Sequence, residues 1–179
     1  MIDRHRLRDG REVVIREAVE SDAPGLLENI NLVGAEEVYV LTDRVEPDLA
    51  AERAWILAFN GLDSTLFVAD AGGTIVGQAD GRRGQLPKNA HTATLGIAIR
   101  DGWRDIGLGT LLVEKVLDWM RVRGVEKACL EVFSSNTRAV ALYRKLGFEE
   151  EGRKRRHFKI RGEYVDDIQM AKWLTDDRA

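Results

Sequence analysis

The stretch Arg104-Asp105-Ile106-Gly107-Leu108-Gly109-Thr110 decides the fold, because its two glycines separate an apolar segment from a long amphipathic one. Upstream, residues 94–99 (Thr-Leu-Gly-Ile-Ala-Ile) are typical of a short strand, and the glycine within them indicates a bulge or a close approach of the backbone. Downstream, apolar side chains recur every four residues, at Leu108, Leu112, Val116 and Met120. The stretch therefore predicts a strand, a glycine turn and a helix with one buried face.

The turn between this strand and this helix has the features of an anion-binding site. The first turn of a helix has unpaired N–H groups and carries the positive end of the helix dipole. Gly107 and Gly109 lack the Cβ atoms that would obstruct an anion. No Gly-Lys-Ser/Thr follows, so the turn is not a P-loop, and Leu112 stands where a dinucleotide fingerprint has its third glycine. A tight turn before an ordinary helix is the alternative interpretation of the glycines alone.

Length and composition predict one soluble domain over residues 1–179. Hydrophobic residues make up 44% of the chain, and its net charge of -3 gives no reason to expect nucleic-acid binding. No apolar run approaches the roughly 18 residues of a membrane span, so we expect a cytoplasmic protein without membrane contact. The single cysteine, Cys129, excludes an internal disulfide, and the three dispersed histidines predict no metal site.

The rest of the chain predicts a mixed, mostly antiparallel sheet with flanking helices, an α/β fold. Strands are predicted at 12–17, 65–70, 75–79, 92–99 and 127–133, from Phe148, and at 158–160 and 164–173. Helices are predicted from Pro24 to about Val33, at 48–59, from Leu108 to the Arg123-Gly124 stop, and between a Ser134–Thr137 cap and Gly147. The strand, helix and strand order over 94–133 favours a right-handed crossover and one parallel pair.

Candidate reactive groups follow the second strand of this parallel pair, where a groove in an α/β sheet usually opens. Glu131 interrupts an otherwise apolar strand, and a carboxylate there is costly unless it is solvated, paired or used. Asn136 and Tyr143 are seven residues apart on the next helix, which places them on one side of it. Taken singly, these residues also suit a strand-end glutamate, a helix cap and a core tyrosine. Cys129 shares the strand face of Glu131, and we expect it to be a core residue.

Two motifs together resemble the GCN5-related N-acetyltransferase (GNAT) superfamily. The first is Arg104-x-x-Gly107-x-Gly109 after an apolar strand, and the second is Leu130-Glu131-Val132 followed by the run from Asn136 to Phe148. The similarity extends roughly from Val14 to Leu174 and is strongest over 94–151. The chain is most similar to bacterial and archaeal members that acetylate small amines, amino acids or the N-termini of ribosomal proteins.

The resemblance implies acetyl-CoA as the acetyl donor and a sheet whose parallel strands splay apart. The pantetheine arm would pair with Ile97, Ala98 and Ile99 like an added strand, and the N–H of Ile97 would point at the thioester oxygen. The bulge expected at Gly96 would produce the splay. The pyrophosphate would lie on the backbone of Arg104, Asp105, Ile106, Gly107, Leu108, Gly109 and Thr110.

The resemblance also implies roles for three side chains. Asn136 matches a position that contacts the cofactor arm, Tyr143 matches the usual general acid, and Glu131 matches a position where some members place a general base. These residue types suit the chemistry, because an amine with a pKa near 10 must lose a proton before it attacks, and a leaving thiolate with a pKa of about 8.5 gains from receiving one. An oriented backbone N–H stabilises the oxyanion that attack creates. Direct attack in a ternary complex needs no nucleophile from the enzyme, so no covalent role is expected for Cys129.

The acceptor is less well specified by the sequence. Segment 31–47 and the last hairpin are expected to select it, and Glu36, Glu37 and Tyr39 would suit a cationic amine, although a solvated charged loop explains them too. The basic run from Arg153 to Arg161 suits an outer phosphate, RNA or an acidic partner, or else a strand facing solvent.

Three hypotheses of function follow from the sequence. They are an N-acetyltransferase for a small amine or amino acid, an acetyltransferase for peptide or protein N-termini, and a noncatalytic acyl-CoA-binding module. The terminal hairpin and the sheet edge make a homodimer the expected assembly.

Overall fold

The computed structural model describes residues 3–175, which form eight strands and four α-helices. The strands are β1 Asp3–Arg6, β2 Glu12–Glu17, β3 Ser64–Ala71, β4 Thr74–Arg83, β5 Thr92–Ile99, β6 Lys127–Phe133, β7 Glu149–Ile160 and β8 Glu163–Trp173. The helices are α1 Ala23–Gly34, α2 Leu49–Leu57, α3 Leu108–Val122 and α4 Thr137–Lys145. None of the helices within the described range is both long and apolar enough to cross a bilayer.

All eight strands lie in one sheet, in the order β1-β2-β3-β4-β5-β6-β8-β7. Every neighbouring pair is antiparallel except β5 and β6, so the predicted mixed sheet with one parallel pair is confirmed. These two strands pair only over residues 92–94 and 127–129. Beyond Thr94 they separate, which confirms the splay, and the gap that results runs toward their C-terminal ends.

Helix α3 covers one face of the sheet, and α1 and α2 cover the other. The predicted stripe of α3 is confirmed, since Leu108, Leu112, Val116 and Met120 are fully buried in the main core cluster. Burial of each such side chain contributes about 1.5–3 kcal/mol, so this face holds α3 and its N-terminal turn firmly on the sheet. On the other face a smaller cluster joins α1 and α2 to β3 and β4.

The bulge expected at Gly96 is wrong, because the pairing of β5 with β4 runs without a shift from Ala93 to Ile99. The other expectation for this glycine, a close approach, is what the structure has. A Cβ atom at Gly96 would lie 2.7 Å from Oδ2 of Asp80 on β4. The pairing of β5 with β6 thus ends at Thr94 without an extra residue inserted in β5.

Several element boundaries differ from those expected. Strand β4 continues through Arg83, into the segment predicted as a turn, and β7 is one strand of 12 residues from Glu149, with irregular pairing at two points. Strand β1 was not predicted, because its sequence Asp-Arg-His-Arg has no apolar alternation. It forms by pairing in register with β2.

Candidate active site

A cavity of about 650 Å³ opens in the gap between β5 and β6 and brings together the regions that the sequence singled out. Ligand pockets are typically about 300–1,000 Å³. Its lining includes Leu95, Gly96, Ile97, Ala98 and Ile99 of β5, Arg104, Asp105, Gly107, Gly109 and Thr110 of the glycine turn, Glu131, Val132 and Phe133 of β6, and Asn136 and Tyr143. Ile106 and Leu108 belong to the same turn and face the core.

The edge of β5 that faces the gap offers backbone groups to a ligand. Arg100 donates its N–H to the carbonyl of Val76, which fixes the alternation of the antiparallel pairing with β4. Gly96 and Ala98 therefore bond to β4, and the backbone groups of Ile97 and Ile99 point into the gap. Among residues 3–175 no strand pairs with this edge beyond Thr94. An extended ligand could pair with Ile97 as an added strand does.

The glycine turn forms a backbone cradle at the N-terminus of α3. Asp105 and Gly107 both have left-handed backbone conformations, with φ of 63° and 99°. Alternation of left-handed and right-handed residues is the geometry by which backbone turns direct successive N–H groups toward an anion. A Cβ at Gly107 would meet only Arg8, at 3.8 Å or more, so the positive φ is what favours glycine at this position.

Gly109 is needed for a different reason. A Cβ atom there would lie 2.9 Å from Cδ2 of Leu142 on α4 and 3.5 Å from Cδ1 of Ile99. The small residue thus leaves room for the side chain of Leu142, which lies on the same helix as Tyr143. This packing requirement is a second reason for glycine at this position, and the role of Gly109 as an opening for an anion stays a prediction, since the residue also lines the cavity.

Three cationic side chains also line the cavity, and the sequence did not indicate them: Arg8, Arg138 and Lys145. The backbone N–H of Arg8 donates to the carbonyl of Ile106 at 3.0 Å, and Arg138 pairs with Asp105 at 3.2 Å. Arg138 could have been found, because it stands two residues after Asn136 in the second motif. Arg8 lies about a hundred residues before the glycines, in a charged segment without a recognisable pattern.

The side chain of Arg104 turns away from the cradle and holds the segment that follows α1. Its guanidinium donates to the carbonyl of Ile99 at 2.7 Å and to both carboxylate oxygens of Glu36, and it lies over the ring of Tyr39 at 4.1 Å. Burial lowers the pKa of Arg104, but the bonds to Glu36 outweigh this effect and raise it overall. The arginine therefore stays charged and joins the end of β5 to this segment.

The three residues predicted for the acceptor fall in two different environments. Tyr39 lines the cavity, together with Val40 and Leu41. Glu36 is bound by Arg104, and Glu37 pairs with Arg161 of the β7–β8 turn at 2.8 Å. Neither carboxylate is part of the cavity lining within the described residues. A substrate role for Glu36 and Glu37 remains a prediction.

Asn136 and Tyr143 lie on the same wall of the cavity. Asn136 caps α4, since its Oδ1 accepts the N–H of Ala139 at 3.1 Å, yet the residue still lines the cavity. Tyr143 is 5% exposed, and its ring packs edge-on against Phe148 with centroids 5.8 Å apart. Burial raises the pKa of Tyr143 well above its usual value, so the phenol stays protonated at neutral pH.

Glu131 lines the same cavity and is half exposed. Its Oε1 accepts hydrogen bonds from Lys154 at 2.7 Å and from Gln169 at 3.1 Å. The bond from Lys154 is the main reason why the pKa of Glu131 is lowered, so this carboxylate is ionised at neutral pH. Cys129 is half-buried two residues earlier, and burial raises the pKa of its thiol, as expected for a packing residue.

The separated parallel pair, the left-handed turn at the N-terminus of α3 and the buried tyrosine in one cavity match the arrangement that the resemblance to acetyltransferases implied. The model of the acetyltransferase (GNAT) family matches residues 32–148. The chain therefore belongs to the acetyltransferase (GNAT) family, which confirms the membership predicted from the two motifs.

Two relatives carry names that describe amino-acid substrates. The chain is 34% identical over 109 residues to the L-amino acid N-acetyltransferase AaaT of Escherichia coli (strain K12), a match that covers 59% of this chain and 65% of that relative. It is 30% identical over 148 residues to the L-methionine sulfoximine/L-methionine sulfone acetyltransferase of Pseudomonas paraeruginosa, covering 77% and 81%. The chain thus spans just under two thirds of the first relative and about four fifths of the second.

The fold has solved counterparts. One is the structure of yncA, a putative acetyltransferase from Salmonella typhimurium, described with its cofactor acetyl-CoA. It superimposes with a TM-score of 0.83 at 21% identity and covers 93% of this chain and 96% of that one. This likeness confirms the predicted fold.

Proposed function

We propose that the protein is an acetyl-CoA-dependent N-acetyltransferase, one domain over residues 1–179, that acetylates the primary amine of an amino acid or a similar small molecule. One observation carries the proposal: a single cavity joins the cradle, the open edge at Ile97, Tyr143 and Glu131. The two relatives named for L-amino acids and methionine derivatives support an amino-acid acceptor.

The described residues fit acetyl-CoA at the cradle end. The left-handed residues Asp105 and Gly107 direct N–H groups to a pyrophosphate, and Arg8 and Arg138 add positive charge beside it. The backbone groups of Ile97 and the N–H of Ile99 suit an amide-bearing arm laid along β5, while the carbonyl of Ile99 is bound by Arg104. Acetyl-CoA would supply an activated thioester, whose acetyl group the acceptor amine takes.

Three groups on the cavity walls are proposed to act at the thioester. The N–H of Ile97 donates to the carbonyl oxygen, which gains negative charge as the amine attacks. The phenol of Tyr143 donates its proton to the departing sulfur, since it is held protonated by burial. Asn136 contacts the arm through its amide, while its Oδ1 keeps α4 in place.

Glu131 is proposed to remove the proton from the acceptor amine, directly or through a water molecule. It is ionised at neutral pH and therefore able to accept a proton, although Lys154 makes it a weaker base than a free glutamate. A cytoplasmic location, a homodimer, the absence of a metal and the acceptor roles of Glu36, Glu37 and Tyr39 remain predictions.

The proposal is tested by following CoA thiol release from acetyl-CoA with L-amino acids, polyamines, aminoglycosides and short peptides as acceptors. We expect L-amino acids such as L-methionine to give the highest kcat/KM. A preference for peptides would instead support the alternative, an acetyltransferase for protein N-termini. Tight binding of acetyl-CoA without thiol release above background for any amine would leave only the noncatalytic acyl-CoA-binding module.

Replacement of Arg8 by alanine is expected to raise the Kd for acetyl-CoA about tenfold, because a charge-assisted hydrogen bond contributes about 1.5–3 kcal/mol and Arg8 lies at the rim. Isothermal titration calorimetry measures this change. Arg6→Ala is the matched control, because Arg6 lies on the same hairpin, pairs with Glu12 and is not part of the cavity lining. Equal Kd values for the Arg8 variant and the wild type would contradict a cofactor contact.

The pH profile of kcat/KM is expected to have an acid limb, in which kcat/KM falls as Glu131 becomes protonated. Because the bond from Lys154 lowers the pKa of Glu131, its carboxylate stays ionised until the pH falls below the usual glutamate value of about 4.3. Lys154→Met removes the main cause of this shift, so the acid limb should move to higher pH. Lys159→Met, on the same strand, should leave it in place, and an unshifted limb in both variants would argue against Glu131 as the base.

A further inference from the structure

Asp167 is a buried carboxylate that shares Lys154 with Glu131 and has no part in the chemistry described so far. It lies on β8, opposite Phe133 in the pairing with β6. The residue is only 1% exposed, and it nevertheless belongs to the cavity lining. A buried carboxylate is costly unless its oxygens receive hydrogen bonds.

The hydrogen bonds to this carboxylate are incomplete. Oδ2 of Asp167 accepts from Nζ of Lys154 at 2.9 Å, and the same ammonium group donates to Oε1 of Glu131 at 2.7 Å. Gln169 also donates to Oε1 of Glu131. Within residues 3–175, Oδ1 of Asp167 and Oε2 of Glu131 have no donor. Each carboxylate therefore keeps one oxygen for a ligand.

The cluster formed by Asp167, Glu131 and Lys154 has one more negative charge than positive charge. Two carboxylates, Asp167 and Glu131, face the single ammonium of Lys154, so the cluster carries one net negative charge. The guanidinium of Arg104, which also lines the cavity, is bound to Glu36. One additional cation would neutralise this charge. The contacts of Lys154 show that the two carboxylates accept hydrogen bonds from an ammonium group.

The walls beside the cluster are apolar. The rings of Phe133 and Phe158 pack edge-to-face with centroids 4.9 Å apart, and both residues line the cavity. Val33, Val40 and Leu41 line the same cavity. These surfaces favour an apolar substituent on the ligand.

We propose that Asp167, together with the open oxygen of Glu131, binds the ammonium group of the acceptor, and that Phe133 and Phe158 contact an apolar substituent beside it. The inference rests on the proposed function and names its substrate class, a primary ammonium compound with an apolar side chain. Asp167 is then an acceptor-binding residue, and Lys154 neutralises one of the two negative charges.

The test compares two probes that differ in the ammonium group, L-methionine and the 2-hydroxy acid with the same side chain. Asp167→Asn keeps the shape of the residue and removes its charge. We expect it to raise the KM and the Kd for L-methionine about tenfold to a hundredfold, because a bond between charged partners is lost. The inhibition constant of the hydroxy acid and the Kd for acetyl-CoA should stay within about twofold. Asp166→Asn, at the neighbouring and more exposed position, is the matched control and should change none of these values.

A second variant separates binding from a structural role and keeps the test open if Asp167→Asn folds poorly. If Asp167 only anchors Lys154, Lys154→Met should weaken L-methionine binding as Asp167→Asn does. If Asp167 binds the ammonium, Lys154→Met leaves two negative charges and should lower the Kd for L-methionine. Equal losses of affinity for L-methionine and for the hydroxy acid in Asp167→Asn would overturn the inference. Unchanged binding of L-methionine by this variant would overturn it too.

Calorimetry distinguishes failure of this inference from failure of the proposed function. Binding of L-methionine that depends on Asp167, without acetyl transfer to any amine, would support the ammonium site and overturn the acetyltransferase. Acetyl transfer to L-methionine that is unaffected by Asp167→Asn would support the acetyltransferase and overturn the ammonium site. Absence of L-methionine binding by the wild type would overturn the inference.

Discussion

Replacement of Tyr143 by phenylalanine is expected to lower kcat for acetyl transfer by about 10²- to 10⁴-fold, the usual contribution of a general acid. The Kd for acetyl-CoA should stay nearly unchanged, because the ring keeps its contact with Phe148 and its place in the cavity wall. Steady-state kinetics and calorimetry give the two values. An unchanged kcat would exclude Tyr143 as the acid.

The protonation state of Tyr143 also predicts how kcat depends on pH. Because burial raises its pKa above the usual value of about 10, the phenol does not lose its proton near neutral pH. The wild type should therefore show no loss of kcat from tyrosine ionisation up to about pH 10. Tyr164→Phe is the matched control, since Tyr164 is exposed and lies under Arg156, and its replacement should not alter kcat.

Replacement of Gly109 by valine is expected to weaken acetyl-CoA binding strongly. The first added carbon would already lie 2.9 Å from Leu142, and valine adds two more methyl groups. Overpacking of this kind costs about 1–3 kcal/mol, so a loss of about fivefold to a hundredfold in affinity is expected as Leu142 is displaced. Calorimetry with acetyl-CoA measures the loss, and circular dichroism should still report a folded protein.

A second-site change tests the cause of this loss. Gly109→Ala should weaken acetyl-CoA binding less than valine does, because the flexible end of Leu142 can yield by a few tenths of an ångström. Leu142→Ala combined with Gly109→Ala removes the crowding and should restore much of the affinity. No recovery in the double variant would mean that Gly109 acts on the anion itself, as first inferred from the sequence.

The sheet and its helices could be predicted largely from the sequence because their signals are local. The apolar stripe from Leu108 to Met120 and the turn residues between strands depend only on near neighbours along the chain. Strand β1 had no such signal and depends on pairing with β2. The sequence also did not show why residue 96 is a glycine, because the reason is its close contact with Asp80 of the neighbouring strand.

The candidate site could be predicted only in part, for the same reason. Ile97, Asn136 and Tyr143 stand in recognisable motifs, and the structure places them around one cavity. Asp167 and Lys154 come from the last hairpin, where the sequence shows only a charged, alternating pattern. Their importance arises from burial and from each other's charge, which the sequence does not reveal. The same holds for Arg104, whose motif position indicates the cradle while its side chain holds Glu36.

The central claim is a direct transfer of acetyl from acetyl-CoA to an amine. Mass spectrometry after incubation with deuterated acetyl-CoA and L-methionine tests it most directly. Direct transfer yields N-acetylmethionine that carries the deuterated acetyl group, in equal amount to the CoA released, with no acetyl group on Cys129 or elsewhere on the protein. CoA release without the labelled product, or a labelled protein that passes its acetyl group on to the amine, would contradict it.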